Sequence, residues 1–161
     1  MRKIFTSIFI ILLVVGITFT IGSKVLYPLK YKDYVKQYSS KYKVDPYILA
    51  SLVHEESTYR DNEYDSSRLN GIPKVTDEVA LKLSKEMKLK DFKPEDIADP
   101  KIGIEMTAYL LSKGESGINL TESIKPFIIR NKDKSKNEID NYSNHILRCK
   151  AWYRIFHFRL V

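Results

Sequence analysis

Thiols are nearly absent from this chain. Cys149 is its one cysteine, so neither an intrachain disulfide nor a paired-thiol metal motif is available. Glycine and proline are scarce, six of each in 161 residues, which excludes collagen-like and Pro/Gly-rich disordered classes. Histidine is confined to His54, His145 and His157, and no two of these have ligand spacing. His54-Glu55-Glu56 lacks the second histidine, four residues on, that a zinc-protease helix requires. No metal and no cofactor is therefore expected. No alternating run marks a strand, and neither an internal repeat nor a low-complexity segment stands out. A nucleic-acid-binding motif is missing too, despite a net charge of +7. The basic residues are interleaved with acids as far as the C-terminal third, and from Lys125 onward nine Lys or Arg face three Asp or Glu. Phospholipid headgroups or anionic wall polymers fit that excess as well as nucleic acid does, and a solvated basic face is the simplest reading. No nucleic-acid partner is expected.

What the chain does have is one long apolar run, Ile4 to Ile21, preceded by Met1, Arg2 and Lys3. Its length is at the short end of what crosses a bilayer. A basic start followed by an apolar stretch also fits a secretion signal, but Gly22-Ser23-Lys24 offers no small-x-small cleavage site. An uncleaved anchor is the preferred reading and a cleaved signal the alternative. The expected organisation is a tail over 1–3, a transmembrane signal-anchor over 4–22, a linker over 23–31 and one domain over 32–161. Charge leaves the orientation open, because Lys24, Lys30, Lys32 and Lys36 on one side balance Arg2 and Lys3 on the other.

The domain reads as all-α. A helix is expected over Lys32–Lys43, with Tyr34, Val35, Tyr38 and Tyr42 turned inward. A second follows Asp45, a good N-cap before Pro46. Thr76 caps a helix through about Lys88, and Asp99-Pro100 opens another that runs to the Gly114–Gly117 break. Leu120 to Ile129 forms a short helix interrupted by Pro126. Asn137 caps the last helix, whose apolar stripe includes Ile139, Tyr142, Ile146, Cys149 and Tyr153. Cys149 serves there as a small buried hydrophobe. The span Arg60–Lys74, rich in Asp, Asn, Ser and Gly, is a loop.

Glu56 is the residue that breaks the pattern. Ile48, Leu49, Leu52 and Val53 define one face of the Asp45 helix, and Glu56 projects within roughly 10° of its centre. Glu55 lies roughly 90° away, and His54 points nearly opposite, toward solvent. A carboxylate ending an apolar stripe is expensive to bury ionised, and a carboxyl that keeps its proton is what a general acid for glycoside cleavage needs. The plainer alternative is a helix-end glutamate that reaches water.

These landmarks, taken in order, resemble the catalytic domain of the soluble lytic transglycosylase family, from Tyr27 to about Phe158. The segment Asp45-Pro46-Tyr47-Ile48-Leu49-Ala50 is similar to the helix that leads to the family's acid. Glu56-Ser57 with Tyr59 is similar to its Glu-Ser signature. Asp99-Pro100 with Ile104 and Tyr109 is similar to its Asp-Pro helix, and Glu138 with Tyr142 to the pair that opens its last helix. The resemblance implies a lysozyme-like helical fold and peptidoglycan glycan strands as the substrate. It gives Glu56 the role of single acid and base. Glu56 would protonate the oxygen between N-acetylmuramic acid and N-acetylglucosamine, then take the proton of the muramyl C6 hydroxyl as that oxygen closes an anhydro ring. No second carboxylate is needed, unlike in two-carboxylate glycosidases. By the same resemblance Ser57, Lys74, Phe127 and Tyr142 are the expected substrate-binding positions.

Two departures qualify this. Gly71-Ile72-Pro73-Lys74 stands where the family has Gly-Leu-Met-Gln, so Lys74 replaces a neutral amide or extends to solvent. Lys125-Pro126-Phe127-Ile128-Ile129-Arg130 stands in place of Ala-Tyr-Asn-Ala-Gly, so Phe127 keeps a ring without its hydroxyl. Three functions remain open: a membrane-anchored, exported lytic transglycosylase; a weak or inactive relative that binds wall glycan or scaffolds an envelope protein complex; and a bitopic protein whose helical interaction domain faces the cytoplasm.

Overall fold

The computed structural model describes residues 2–58, 63–114 and 120–160, with the backbone alone at Leu120. Tyr59, part of the Arg60–Lys74 loop and most of the Gly114–Gly117 break lie outside the described residues. Helix α1 (Arg2–Ile21) continues through a π-helical turn, Gly22–Leu26. Among the described residues this is the one helix long and apolar enough to cross a membrane, by length and composition. The described residues form six further α-helices: α2 (Lys32–Tyr42), α3 (Pro46–Ser57), α4 (Asp77–Glu86), α5 (Pro100–Ser112), α6 (Leu120–Ile128) and α7 (Lys136–Phe156). The described residues contain no strand, only an isolated antiparallel bridge between Asn70 and Val75. The fold is all-α.

Local chemistry explains the helix starts. Asp45 accepts the N–H groups of Tyr47 and Ile48 at 2.8 and 3.2 Å, Asp99 accepts that of Lys101, and Thr76 that of Val79. The last helix starts earlier than Asn137. Ser135 and Glu138 form a reciprocal capping box, which satisfies two backbone donors where Asn137 would satisfy one. Pro126 does not interrupt α6 but lies inside it. Ile124 and Phe127, both fully buried, hold that helix against α5 and α7, and packing of this kind outweighs one forfeited backbone bond.

Helix α3 is the centre of the domain. Every residue from Tyr47 to Val53 is buried, because α2, α5 and α7 all pack on it. His54, expected in solvent, is half-buried for that reason: its ring meets Tyr27 and Tyr153 at 6.2 and 6.0 Å. Burial pushes the His54 imidazole below its ordinary pKa.

The far end of α7 receives the chain as it leaves α1. Tyr27 stacks on Trp152 and Phe156, while Tyr153 donates to the Pro28 carbonyl at 2.7 Å. Gly22 permits this contact, since a Cβ there would run into the Phe156 ring.

Candidate active site

Glu56 sits in the last turn of α3, whose Thr58 C-cap adopts a left-handed φ of 46°. Its side chain is 13 % exposed. Both oxygens are engaged. The Tyr142 hydroxyl, from the second turn of α7, donates to Oε1 at 2.5 Å, and Arg130 Nη2 lies 3.0 Å from Oε2. Burial, and then the Glu56 charge, push the Tyr142 phenol above its ordinary value, so it stays a donor throughout the physiological range.

Arg130 is the residue at this candidate site that the sequence did not point to. It follows α6, its side chain is 10 % exposed, and its guanidinium is fixed on every side. Nη1 donates to the Phe127 carbonyl at 2.8 Å, Nε donates to the Pro73 carbonyl, and the plane lies 4.0 Å over the Phe127 ring. Asn131 continues the clasp, with Nδ2 donating to the Lys74 carbonyl at 2.6 Å and Oδ1 accepting from the Thr76 N–H. The two segments that depart from the family pattern therefore bind one another. Arg130 and Asn131 close the Gly71–Lys74 loop, and Gly71 itself has φ +66° and lies where a Cβ would meet the Ile97 carbonyl. A signal for Arg130 was available: a cation ending the apolar run Phe127-Ile128-Ile129 and an anion ending that of α3 each need a buried partner.

The other expected positions move accordingly. The cation on Glu56 is Arg130 and not Lys74, which is half-buried with φ 46°. Phe127 is fully buried and cannot contact a sugar; it is the platform beneath Arg130, because a phenylalanine without the expected hydroxyl belongs in the core. Ser57 is buried, and its Oγ donates to the Val53 carbonyl at 2.5 Å, back along its own helix. Tyr142 alone of the four reaches the carboxyl through its side chain. Glu55, the neighbouring acid, is exposed and lies 2.9 Å from His145 Nε2. An open depression of about 540 Å³, lined by Asp45, Tyr47, Lys150 and Phe158 among others, lies at the opposite end of α3 from Glu56.

The arrangement is a carboxylate clamped by a phenol and a guanidinium, with little exposed surface. Each oxygen has one partner and a second acceptor position, so the carboxyl can hold or pass a proton at Oε1 or Oε2. Residues 33–125 match the transglycosylase SLT domain family. No curated protein matches the chain.

Proposed function

From the premise that this chain belongs to the transglycosylase SLT domain family, we propose that it is a membrane-anchored lytic transglycosylase acting on peptidoglycan, with Glu56 as its single acid and base. The anchor is α1, and the domain faces the extracytoplasmic side, where the wall lies. The observation that carries the reading is the placement of Glu56. It is a nearly buried carboxyl at the end of the central helix, with a phenol hydroxyl 2.5 Å from one oxygen.

The sugar displaces the Arg130 guanidinium from Oε2, and the carboxyl takes up a proton from solvent. Glu56 then delivers that proton to the glycosidic oxygen as the bond to the muramyl anomeric carbon breaks. It next receives the proton of the muramyl C6 hydroxyl, whose oxygen bonds to the same carbon. Glu56 returns to its protonated form and no water is consumed. Tyr142 holds the carboxyl in place throughout by its bond to Oε1.

A second reading is favoured by one specific observation, the ion pair itself. A guanidinium anchored to two backbone carbonyls and a ring is costly to displace, and a domain in which it stays put would bind glycan, or scaffold an envelope complex, without turnover. Digestion of purified peptidoglycan by the full chain in detergent, followed by mass spectrometry of the soluble products, separates the two. Anhydromuropeptides that vanish in Glu56→Gln support the enzyme. Retention on the peptidoglycan pellet with no product supports the second reading, and products carrying an added water would sink the single-acid mechanism.

A further inference from the structure

We propose that Glu55, His145 and Cys149 form a binding site for a thiophilic divalent cation of the zinc class, tying α3 to α7 beside the Tyr142–Glu56 pair. The ligand atoms of these three side chains all lie within 4.8 Å of one another. His145 and Cys149 are four residues apart on α7 and so share a face, and Glu55 comes to them from α3. His145 Nε2 is the shared point of the cluster, 2.9 Å from Glu55 Oε2 and 3.6 Å from Cys149 Sγ.

Two of the three edges can be compared with the coordination chemistry, and the Glu55–Cys149 edge, within 4.8 Å, has to come to about 3.6 Å. Tetrahedral zinc with Zn–S of about 2.3 Å and Zn–N of about 2.0–2.1 Å sets sulfur and nitrogen about 3.5 Å apart. The His145–Cys149 edge already has that length. The corresponding nitrogen–oxygen edge is about 3.4 Å, so Glu55 must retreat by about half an ångström, a small movement for an exposed side chain. The Glu55 and His145 side chains are 39 % and 41 % exposed while Cys149 is buried, so the site has a closed thiol end and a wet end where water completes the fourth position. One thiolate and one imidazole select against calcium and magnesium, which take oxygen ligands. The sequence alone hides the site because its third ligand comes from another helix. The proposal does not rest on the glycan reading, and binding is read without any glycan present.

The test uses the full chain in detergent, reduced and stripped of metal, titrated with cobalt(II) and then with zinc. One equivalent of cobalt is expected to produce a thiolate-to-metal absorption band that zinc abolishes, and zinc is expected to raise the melting temperature. Outer-shell partners alone are worth about 10–100-fold in metal affinity, so His145→Ala and Glu55→Gln should weaken zinc by at least about 10-fold. Cys149→Ala should remove the band altogether, with an unchanged far-ultraviolet dichroism spectrum showing that it is folded. A cobalt spectrum without the thiolate band in the wild-type chain overturns the proposal. So does a zinc affinity that is the same in the wild type, His145→Ala and Cys149→Ala.

Discussion

Two carboxylates in this domain have the same kinds of partner and similar burial, and differ in where those partners come from. Glu105, in the middle of α5, accepts from the Tyr42 hydroxyl at 3.0 Å and from Lys41 Nζ at 2.5 Å, both on the single oxygen Oε1. Glu56, at the end of α3, has a tyrosine on one oxygen and a cation on the other. At Glu105 the two donors are adjacent residues of α2, and Lys41 keeps 55 % of its side chain in solvent. That cluster is a seam between two helices, closed by a flexible surface lysine. At Glu56 the donors arrive from α7 and from the end of α6, and the cation is as buried as the acid. A neutralised, buried carboxylate is thus not in itself a site. What separates Glu56 is its helix-end position and the distant segments that converge on it.

The sharpest way to break this comparison is to remove each acid in turn. General acid–base catalysis contributes about 10²–10⁴-fold, so Glu56→Gln should lower anhydromuropeptide release by at least about 100-fold while the chain stays folded. Glu105→Gln should leave turnover within about twofold of wild type, since nothing places it near a reacting group. Equal losses in both variants, measured on the same peptidoglycan, would erase the distinction.

The next largest effect separates the two cations. Arg130→Ala leaves Glu56 without its counter-charge in a nearly buried place and should destabilise the domain by about 3 kcal/mol. Lys41→Ala removes a partner that is mostly in solvent and should cost less than about 1 kcal/mol. Denaturant midpoints of the full chain in detergent give both values. A Lys41 effect as large as that of Arg130 would mean that the two clusters carry similar weight after all.

Much of this contrast was legible in the sequence, for reasons particular to each residue. Asp45-Pro46 fixes the start of α3 through local hydrogen bonds, so the phase of Glu56 on the helix follows from counting residues. The apolar stripe of α7 turns Tyr142 inward, but its place beside the acid follows from the family resemblance rather than from counting residues. His54 was misplaced because one-face periodicity assumes a surface helix, and α3 is covered on several sides. The family pattern sets Ser57, Lys74 and Phe127 against the sugar, but it does not encode the clasp through which Arg130 and Asn131 hold the Pro73–Thr76 turn. Such a clasp depends on where α6 ends in space, and no local rule in either segment determines that.

Substituting the tyrosines gives a smaller and more discriminating effect. Tyr142→Phe leaves Glu56 Oε1 without its donor, and hydrogen bonds to charged groups are worth about 1.5–3 kcal/mol. Tyr42→Phe should cost about 1 kcal/mol or less, because Lys41 still occupies the same oxygen of Glu105. A ranking in the reverse order would show that the Glu105 seam, rather than the Glu56 clamp, depends on its phenol.

The smallest effect is in alkaline solution, where the clusters should weaken together but not equally. Burial, followed by the Glu105 charge, pushes the Tyr38 phenol up to about 12, and burial and the Glu56 charge raise Tyr142 also. A tyrosine whose folded value lies above its unfolded value of about 10 contributes stability that is complete below pH 10. Above pH 10 the unfolded chain loses the proton first, so that contribution declines until the folded value is reached. Stability should therefore be insensitive to these groups from pH 6 to 9 and fall as the pH rises beyond 10. Tyr38→Phe and Tyr142→Phe should each flatten part of the fall. Tyrosinate absorbance offers the direct check, since a signal lost in Tyr142→Phe but already developed below pH 10 in the wild type would mean that its hydroxyl is not held against the Glu56 carboxylate.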